Sequence, residues 1–337
     1  MTVTRGRCAT RRTPGLRLRA YIGEPDLPGM VGVENAENEA DQITYRTRVE
    51  EQRAHYAHPT EQFDPSRDVT IAELDGVIVG FANRQWVDTN DGQLREYRTG
   101  GAVHPEWRRR GIGSALLAEN QRQARALAGM HETDRPRALG SFTGEHQAGA
   151  IGLMERGGYE PVRYFFDMER PNLDDVPDVP LPDGLEVRPI TPDLELRVWH
   201  ADVEAFRDHW GGFDTSEEAF RRYADAPDFN PSLWVIAFDG EEVAGGVINT
   251  IYPEENAAHN VKRGWLDSVF TRRPWRRCGL ARALIARSLL RLRERGMTSA
   301  MLGVDAENPT GALGLYESVG FRVTQRFTAW RKPLEVV

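Results

Sequence analysis

A short arginine- and glycine-rich segment occurs twice in this chain, and the repeat limits how the chain can fold. Trp107 to Gly113 reads WRRRGIG, and Trp275 to Ala281 reads WRRCGLA, about 168 residues later. A segment with strand character precedes each copy, and apolar residues at helical spacing follow it. Two domains of similar fold are therefore predicted, and 337 residues allow each of them to bury its own core.

The similarity continues through a second strand and a second helix in each half. The strands begin at Ala138 (ALGSFT) and Ser299 (SAMLGVD), and the helices read GAIGLMERGGY from Gly149 and GALGLYESVGF from Gly311. Upstream, each half begins with a strand, followed by one or two acidic helices and a hairpin with Asp-Gly at its turn. The order β-α-α-β-β-β-α-β-α-β predicts a mixed α/β (α+β) sheet with helices on both faces, in each half.

A proline- and aspartate-rich stretch, PNLDDVPDVPLPD from Pro171, separates the two halves and is typical of a semi-rigid linker. We therefore expect a basic tail over residues 1–15, a first domain over 16–172, a linker over 173–183 and a second domain over 184–337. The tail is rich in arginine and free of acids, so an organelle transit sequence is an alternative to a simple tail. Gly129 and Gly296 are expected to end the helices that follow the repeated segments.

Composition excludes several classes of function. The formal net charge of -8 argues against a nucleic-acid-binding surface, which needs a net basic face. Cys8 and Cys278 are too few for a disulfide framework or a thiolate metal site, and the histidines lack metal-ligand spacing. Without an apolar run of membrane length or a secretion signal, the sequence predicts a cytoplasmic protein with no membrane, nucleic-acid or metal partner.

The repeated segment has the chemistry of a phosphate site. A helix start exposes unpaired backbone NH groups and the positive end of the helix dipole, and glycine lets an anion approach them closely. Taken alone, R-x-x-G-x-[GA] is a weak signal and favours a solvated basic helix start over a binding site. Its duplication between a strand and an amphipathic helix favours a site for pyrophosphate.

With VHPEWRRRGIG from Val103, the first copy resembles motif A of the GCN5-related N-acetyltransferase (GNAT) family, and the second copy is similar to it. The resemblance implies two tandem GNAT-like acyl-CoA N-acyltransferase domains with acetyl-CoA as donor. In the first half it assigns coenzyme binding to Val103, Arg108, Arg109, Arg110, Gly111, Ile112, Gly113 and Ser114. In the second half it assigns coenzyme binding to Val269, Thr271, Arg276, Arg277, Cys278, Gly279, Leu280, Ala281 and Arg282. Cys278 departs from the family pattern, where Arg or Gly is frequent, and its backbone is expected to matter more than its thiol.

The second half also resembles motif B of the family. This resemblance makes Tyr316 the acid that protonates the coenzyme thiolate and places Asn308 beside the pantetheine arm. A core aromatic is the alternative for Tyr316, because Leu313 and Val319 share its helical spacing. The first half has Met154 at this position, which can donate no proton. We therefore expect catalysis mainly in the second half and a degenerate first half, whose own binding of acetyl-CoA is left open.

The general base is harder to assign. Asp267 lies on the strand that leads into the second loop, where the family often places the acid that deprotonates the amine through water. The alternation of side chains leaves its facing open, so an exposed surface carboxylate is an equal alternative. Asp305 and Glu307 are the next candidates.

Acceptor residues are expected in the segment FRDHWGGF from Phe206, with Asp208, His209 and Trp210 as candidates, although a helix end packed inward would read similarly. The leading interpretation is direct transfer of an acetyl group to a primary amine of a small molecule. The alternatives are a cysteinyl amine, as in mycothiol synthases, which also have two tandem domains, a protein amine, or a non-catalytic acetyl-CoA-binding regulator. The sequence leaves the oligomeric state open.

Overall fold

The computed structural model describes residues 13–308 and 311–335, so most of the predicted basic tail, with Cys8, lies outside the described residues. In this part of the chain, no helix is long and apolar enough to cross a membrane. The strands are β1 (Leu16–Ala20), β2 (Val69–Leu74), β3 (Val77–Asp88), β4 (Arg95–Val103), β5 (Arg137–Gly144), β6 (Glu160–Arg170), β7 (Glu186–Arg188), β8 (Val235–Asp239), β9 (Glu242–Thr250), β10 (Arg263–Thr271), β11 (Ser299–Asp305) and β12 (Arg322–Pro333). The α-helices are α1 (Leu27–Ala40), α2 (Val49–Ala57), α3 (Pro65–Asp68), α4 (Ile112–Met130), α5 (Ala148–Arg156), α6 (Pro192–Ala205), α7 (Glu217–Ala224), α8 (Pro253–His259), α9 (Leu280–Glu294) and α10 (Ala312–Ser318).

The predicted order of elements is present in both halves, with the short helices α3 and α8 as additions. The first hairpin turns as its Asp-Gly pair predicts, because Asp75 and Gly76 both have positive φ, 49° and 82°. Gly296 follows the end of α9 with φ 84° and acts as the predicted stop. The prediction for Gly129 was wrong, because α4 continues through it to Met130.

All strands join in one twelve-stranded sheet, in the order β1-β2-β3-β4-β5-β12-β6-β11-β10-β9-β8-β7. The two halves exchange their last strands across the middle of this sheet. The last strand of the chain, β12, pairs with β5 of the first half, and β6 pairs with β11 of the second half. The exchanged strands β6 and β12 are antiparallel to each other, so that the halves meet through a continuous ladder.

The exchange also completes the hydrophobic cores. Trp330 of β12 packs with Trp86, Leu139 and Met154 of the first half, and its indole NH donates to the Thr143 hydroxyl over 2.8 Å. A second cluster of buried residues joins β6 to the second half in the same way, because Met168 packs with Leu302, Tyr316 and Phe321. The domain bounds proposed from the sequence divide the chain at the linker. In the structure, each hydrophobic core also contains one strand from the other half of the chain.

Candidate active site

The two repeated loops have the same backbone conformation. Arg109 and Gly111 have φ of 64° and 84°, and Arg277 and Gly279 have φ of 65° and 89°. The left-handed region is about 1–2 kcal/mol unfavourable for a residue with a side chain, so the same strain at the same arginine in both loops points to function. The left-handed residues turn backbone NH groups inward, just before a helix start. Each loop is therefore a preformed anion cradle.

The first arginine of each loop holds the loop in place. Arg108 makes two bonds to the Asp41 carboxylate, of 2.8 and 2.7 Å, and its Nε donates to the carbonyl of Val103. In the second half, Arg276 donates to Asp208 over 2.8 Å and to the carbonyl of Thr271 over 3.0 Å. These guanidinium groups are already paired, so the backbone cradle and the following arginines are the groups left to meet a phosphate.

The first half has an open cleft of about 510 Å³ between β4 and β5. The two strands pair in parallel only from Arg95↔Arg137 to Arg98↔Gly140, and the cleft opens beyond that point. Diverging strands leave backbone groups free to pair with an extended ligand. All of the predicted first-half coenzyme residues except Arg110 line this cleft: Val103, Arg108, Arg109, Gly111, Ile112, Gly113 and Ser114. Arg110 instead stacks on Trp107, at 4.5 Å from the ring centroid.

The second half repeats the early divergence of the two parallel strands. Its parallel pairing also ends early, at Trp265↔Met301. Cys278 is exposed, and its thiol donates locally to the carbonyl of Trp275 over 3.0 Å. Asn308 lies between β11 and α10, where its backbone NH donates to the carbonyl of Asp305 over 3.1 Å. The coenzyme-binding roles proposed for these residues remain predictions.

A β-bulge in β10 decides which way Asp267 faces. The register between β10 and β9 shifts between Leu266 and Ser268, which leaves Asp267 as the extra residue with its side chain accessible to solvent. Protein surrounds this carboxylate on most sides, and the resulting desolvation raises the pKa of Asp267 to about 6. The Tyr252 hydroxyl donates a hydrogen bond to Asp267 Oδ2 over 3.0 Å. This bond stabilises the charged carboxylate and offsets part of the rise in its pKa.

Several hydroxyl and carboxyl groups near Asp267 were missed from the sequence. Thr250 lies near Asp267 and Tyr223 and partly offsets the rise in the pKa of both, and the Ser268 hydroxyl donates to Asp202 over 2.6 Å. Burial raises the pKa of Asp202 to about 7 and raises that of Tyr223 above its ordinary range. Their positions were the only signal in the sequence. Asp202 and Tyr223 lie on the helices before the hairpin, and Thr250 ends the strand that precedes β10.

Comparison with known proteins agrees with this geometry. A model of the acetyltransferase (GNAT) family matches residues 197–321, and a GNAT domain model matches residues 65–161. The mycothiol acetyltransferase of Salinispora arenicola is 31% identical over 261 residues, which cover 76% of this chain and 78% of that protein. The mycothiol acetyltransferase of Geodermatophilus obscurus is 30% identical over 271 residues, covering 79% and 82%. The chain belongs to the GNAT acetyltransferase family.

Solved structures show the same tandem fold. A GCN5-related N-acetyltransferase from Sphaerobacter thermophilus superposes with a TM-score of 0.70 at 25% identity, covering 96% of this chain and 97% of that one. A tandem GNAT protein from the clavulanic acid biosynthesis pathway has a TM-score of 0.68 at 17% identity, covering 95% and 99%. The predicted family, fold and enzyme class are thereby confirmed: the protein is an acyl-CoA-dependent N-acetyltransferase with acetyl-CoA as donor.

Within this GNAT protein, the two halves differ at the positions predicted to carry proton transfer. Counting from the parallel pairs Arg95↔Arg137 and Arg263↔Ser299, Thr99 of the first half occupies the place of Asp267. Its strand β4 pairs with β3 in one continuous register, without a bulge at this point. Met154, at the place of Tyr316, lines the first-half cleft. Neither side chain offers a base or an acid for acetyl transfer at neutral pH.

The other residues proposed for proton transfer have defined partners. Asp305 and Glu307 both bind Arg163 of β6, with bonds of 2.8 Å and 2.9 Å, and are therefore held in ion pairs. Tyr316 is only 6% exposed and packs near Phe321, so the alternative of a core aromatic describes its surroundings. The same burial raises the pKa of Tyr316 above its ordinary value and keeps its proton available at neutral pH.

The side chains of the three acceptor candidates have different surroundings in the structure. Asp208 is bound by Arg273 and Arg276, which hold the pKa of its carboxyl well below the ordinary range. His209 lies against Phe206, at 4.1 Å between ring centroids. Trp210 extends away from the second loop and lines a cavity together with first-half residues. A role for these residues in binding the acceptor remains a prediction.

Proposed function

We propose that the second half transfers the acetyl group of acetyl-CoA to a small-molecule primary amine, and that the first half holds coenzyme without turnover. The observation that carries this proposal is the carboxylate of Asp267. It lies on a bulge next to the second coenzyme loop and has a pKa of about 6, whereas Thr99 takes its place in the first half.

Asp267 is assigned the role of general base. An amine reaches the active site as its ammonium form and must lose a proton before its nitrogen can attack the thioester carbon. A carboxylate with a pKa of about 6 is ionised at neutral pH and is still basic enough to accept that proton through a water molecule. The bond between nitrogen and the acyl carbon then forms directly, and the bond between carbon and sulfur breaks.

Tyr316 is assigned the role of acid. The departing coenzyme thiolate takes a proton, and a tyrosine whose pKa is raised by burial is protonated at neutral pH. Its position on α10 matches that of Met154, which lines the corresponding cleft of the first half. The core packing of Tyr316 holds its ring in one orientation, so a packing role and an acid role are compatible.

The surroundings of Asp267 favour a small cationic acceptor. Asp202 and Asp267 add negative charge, which attracts an ammonium group. Tyr45 of the first half places its ring against Tyr252, at 6.3 Å between centroids, and His259 donates to the carbonyl of Thr44 over 2.8 Å. The first half thus closes over this side of the second site, which favours a small molecule over a protein surface.

A cysteinyl amine is the second candidate, favoured by one observation. The relatives that match about three quarters of the chain at about 30% identity are named mycothiol acetyltransferases. A cysteinyl acceptor carries its own thiol, so thiol release alone would not report its acetylation. Product mass and loss of the thioester absorbance are the appropriate measurements.

The proposal is tested with a panel of small primary amines, cysteinyl glycosides and lysine peptides, using acetyl-CoA as donor. We expect turnover with a small amine and a loss of about 10²- to 10⁴-fold in Asp267→Asn. Glu307→Gln is the matched control, because Glu307 is a carboxylate of the same half that is already paired with Arg163, and this variant should retain activity. Full activity of Asp267→Asn would remove the assigned base, and binding without turnover of any amine would favour a regulator.

A further inference from the structure

A second cavity, of about 370 Å³, adjoins the first-half cleft and is lined by aromatic rings from both halves. Phe142 lies on β5, Phe165 on β6, and Trp210 on the segment after α6. Asn83, Gln85, Glu96 and Arg98 add polar groups to its lining, and Glu96 is paired with Arg98 and Arg331. We call this space the aromatic pocket. A pocket of this size accommodates a small organic molecule, since such pockets begin at about 300 Å³.

The rings of the aromatic pocket form a continuous wall. Phe142 stacks on Phe327 at 5.5 Å, meets Phe165 edge to face at 5.5 Å, and Phe165 lies 6.0 Å from Trp210. The guanidinium of Arg331 covers a face of Trp210 at 4.2 Å and holds it in place. Phe142 is nevertheless 52% exposed. A large exposed ring inside a concave site is typical of a surface that a ligand covers.

The aromatic pocket shares four lining residues with the coenzyme cleft. Both are lined by Thr99, Gly100, Ser141 and Phe142, at the point where the parallel pairing of β4 and β5 ends. A thioester entering between these strands would present its acyl group to the pocket.

The corresponding place in the second half has different chemistry. In the parallel register, Val304 takes the place of Phe142, and it is buried in the core. Asp267 takes the place of Thr99. The first half therefore offers an apolar aromatic wall without a base, and the second half offers a base without that wall. The two sites are built for different acyl or acceptor groups.

We propose that the first half binds an acyl-CoA whose acyl group is aromatic, with the coenzyme in the cleft and the ring in the aromatic pocket. This inference rests on the coenzyme binding by the first half that is proposed above. We assign binding but no catalysis to this site, because Thr99 and Met154 provide neither a base nor an acid.

The test is calorimetric titration of the Ala281→Glu variant, in which a carboxylate against the second loop blocks the second coenzyme site. The ligands are CoA, acetyl-CoA, benzoyl-CoA and free benzoate. We expect benzoyl-CoA to bind at least about tenfold more tightly than acetyl-CoA, because the ring gains several aromatic contacts. Free benzoate should not bind, since it lacks the coenzyme that places the ring.

Variants of the aromatic wall distinguish binding in the aromatic pocket from binding in the coenzyme cleft. Phe142→Val copies the second half at an exposed position, and Trp210→Ala removes the end of the wall. Both should lower benzoyl-CoA affinity to that of acetyl-CoA. Trp210→Ala should also leave acetyl-CoA affinity unchanged, because Trp210 lines the aromatic pocket and Phe142 lines the coenzyme cleft as well. Tyr164→Ala is the matched control, because this exposed ring neighbours Phe165 but lines neither cavity. Thermal unfolding of each variant verifies that it is folded.

The possible outcomes distinguish this inference from the function on which it rests. Equal affinity for acetyl-CoA and benzoyl-CoA would overturn the inference, while the proposal that the first-half cleft binds coenzyme would stand. Tight binding of free benzoate would overturn it as well, because the ring would then bind independently of coenzyme. Failure to bind any of the CoA ligands would overturn both the inference and the proposed coenzyme site of the first half.

Discussion

Replacing Tyr252 with phenylalanine removes the hydroxyl that donates to Asp267 over 3.0 Å and leaves the ring in place. This hydrogen bond stabilises the charged carboxylate, so its loss raises the pKa of Asp267 further above about 6. A hydrogen bond to a charged group contributes about 1.5–3 kcal/mol, and 1.36 kcal/mol corresponds to about one pKa unit. Asp267 is accessible to water, which replaces part of the bond, so we expect an increase of about half to one unit.

The measurement is the pH dependence of kcat/KM for acetyl transfer, which reports the pKa values of the free enzyme. For a base, activity is lost as the pH falls through its pKa, so the acid limb in Tyr252→Phe should move to higher pH. At alkaline pH, where the carboxylate is ionised in both proteins, the rates should converge. Tyr45→Phe is the matched control, because its hydroxyl bonds Glu51 and not Asp267. An acid limb that stays in place or moves to lower pH would refute the assignment of Asp267 as base.

Three further variants test the division of labour between the halves. Tyr316→Phe keeps the buried ring and should lower kcat by at least about tenfold while the coenzyme Kd stays nearly constant; an unchanged kcat would exclude it as the acid. Gly113→Glu should remove one calorimetric acetyl-CoA site and leave turnover largely intact, whereas Ala281→Glu should abolish turnover; the reverse result would place catalysis in the first half. Trp330→Ala should lower the free energy of unfolding in urea by about 3–5 kcal/mol. Because its strand joins the cores, this loss should fall on a single transition, and two separate transitions would contradict the shared core.

The strand-loop-helix arrangement around the two proposed coenzyme loops could be predicted from the sequence because its signal is local. Strand, loop and helix follow one another within about thirty residues, and the duplication removed most of the ambiguity of a short motif. The left-handed conformations of Gly111 and Gly279 agree with the expectation that glycine is needed there. The facing of Asp267 could not be predicted, because it depends on a single extra residue that shifts the register of β10.

The exchange of β6 and β12 was beyond the reach of sequence analysis. Both strands follow a helix that ends in glycine and an aromatic residue, and a strand pattern shows which face is buried but not which strand lies alongside. The location of Trp210 was missed for the same reason. Its segment was expected to serve the second half, but the joined sheet brings it against Phe165 of β6 and into the aromatic pocket.

The fold ties the first half, for which we propose no turnover, to the second-half site that we propose to be catalytic. Asp41, which holds the first coenzyme loop through Arg108, begins the segment that brings Tyr45 against Tyr252 in the second half. Asp208 has the same relation to the second loop, and the residues after it enter the aromatic pocket of the first half. Each coenzyme loop is therefore tied to a segment that forms a wall of the other half's site. The two proposed sites therefore share structural segments, although only the second has the side chains proposed for proton transfer.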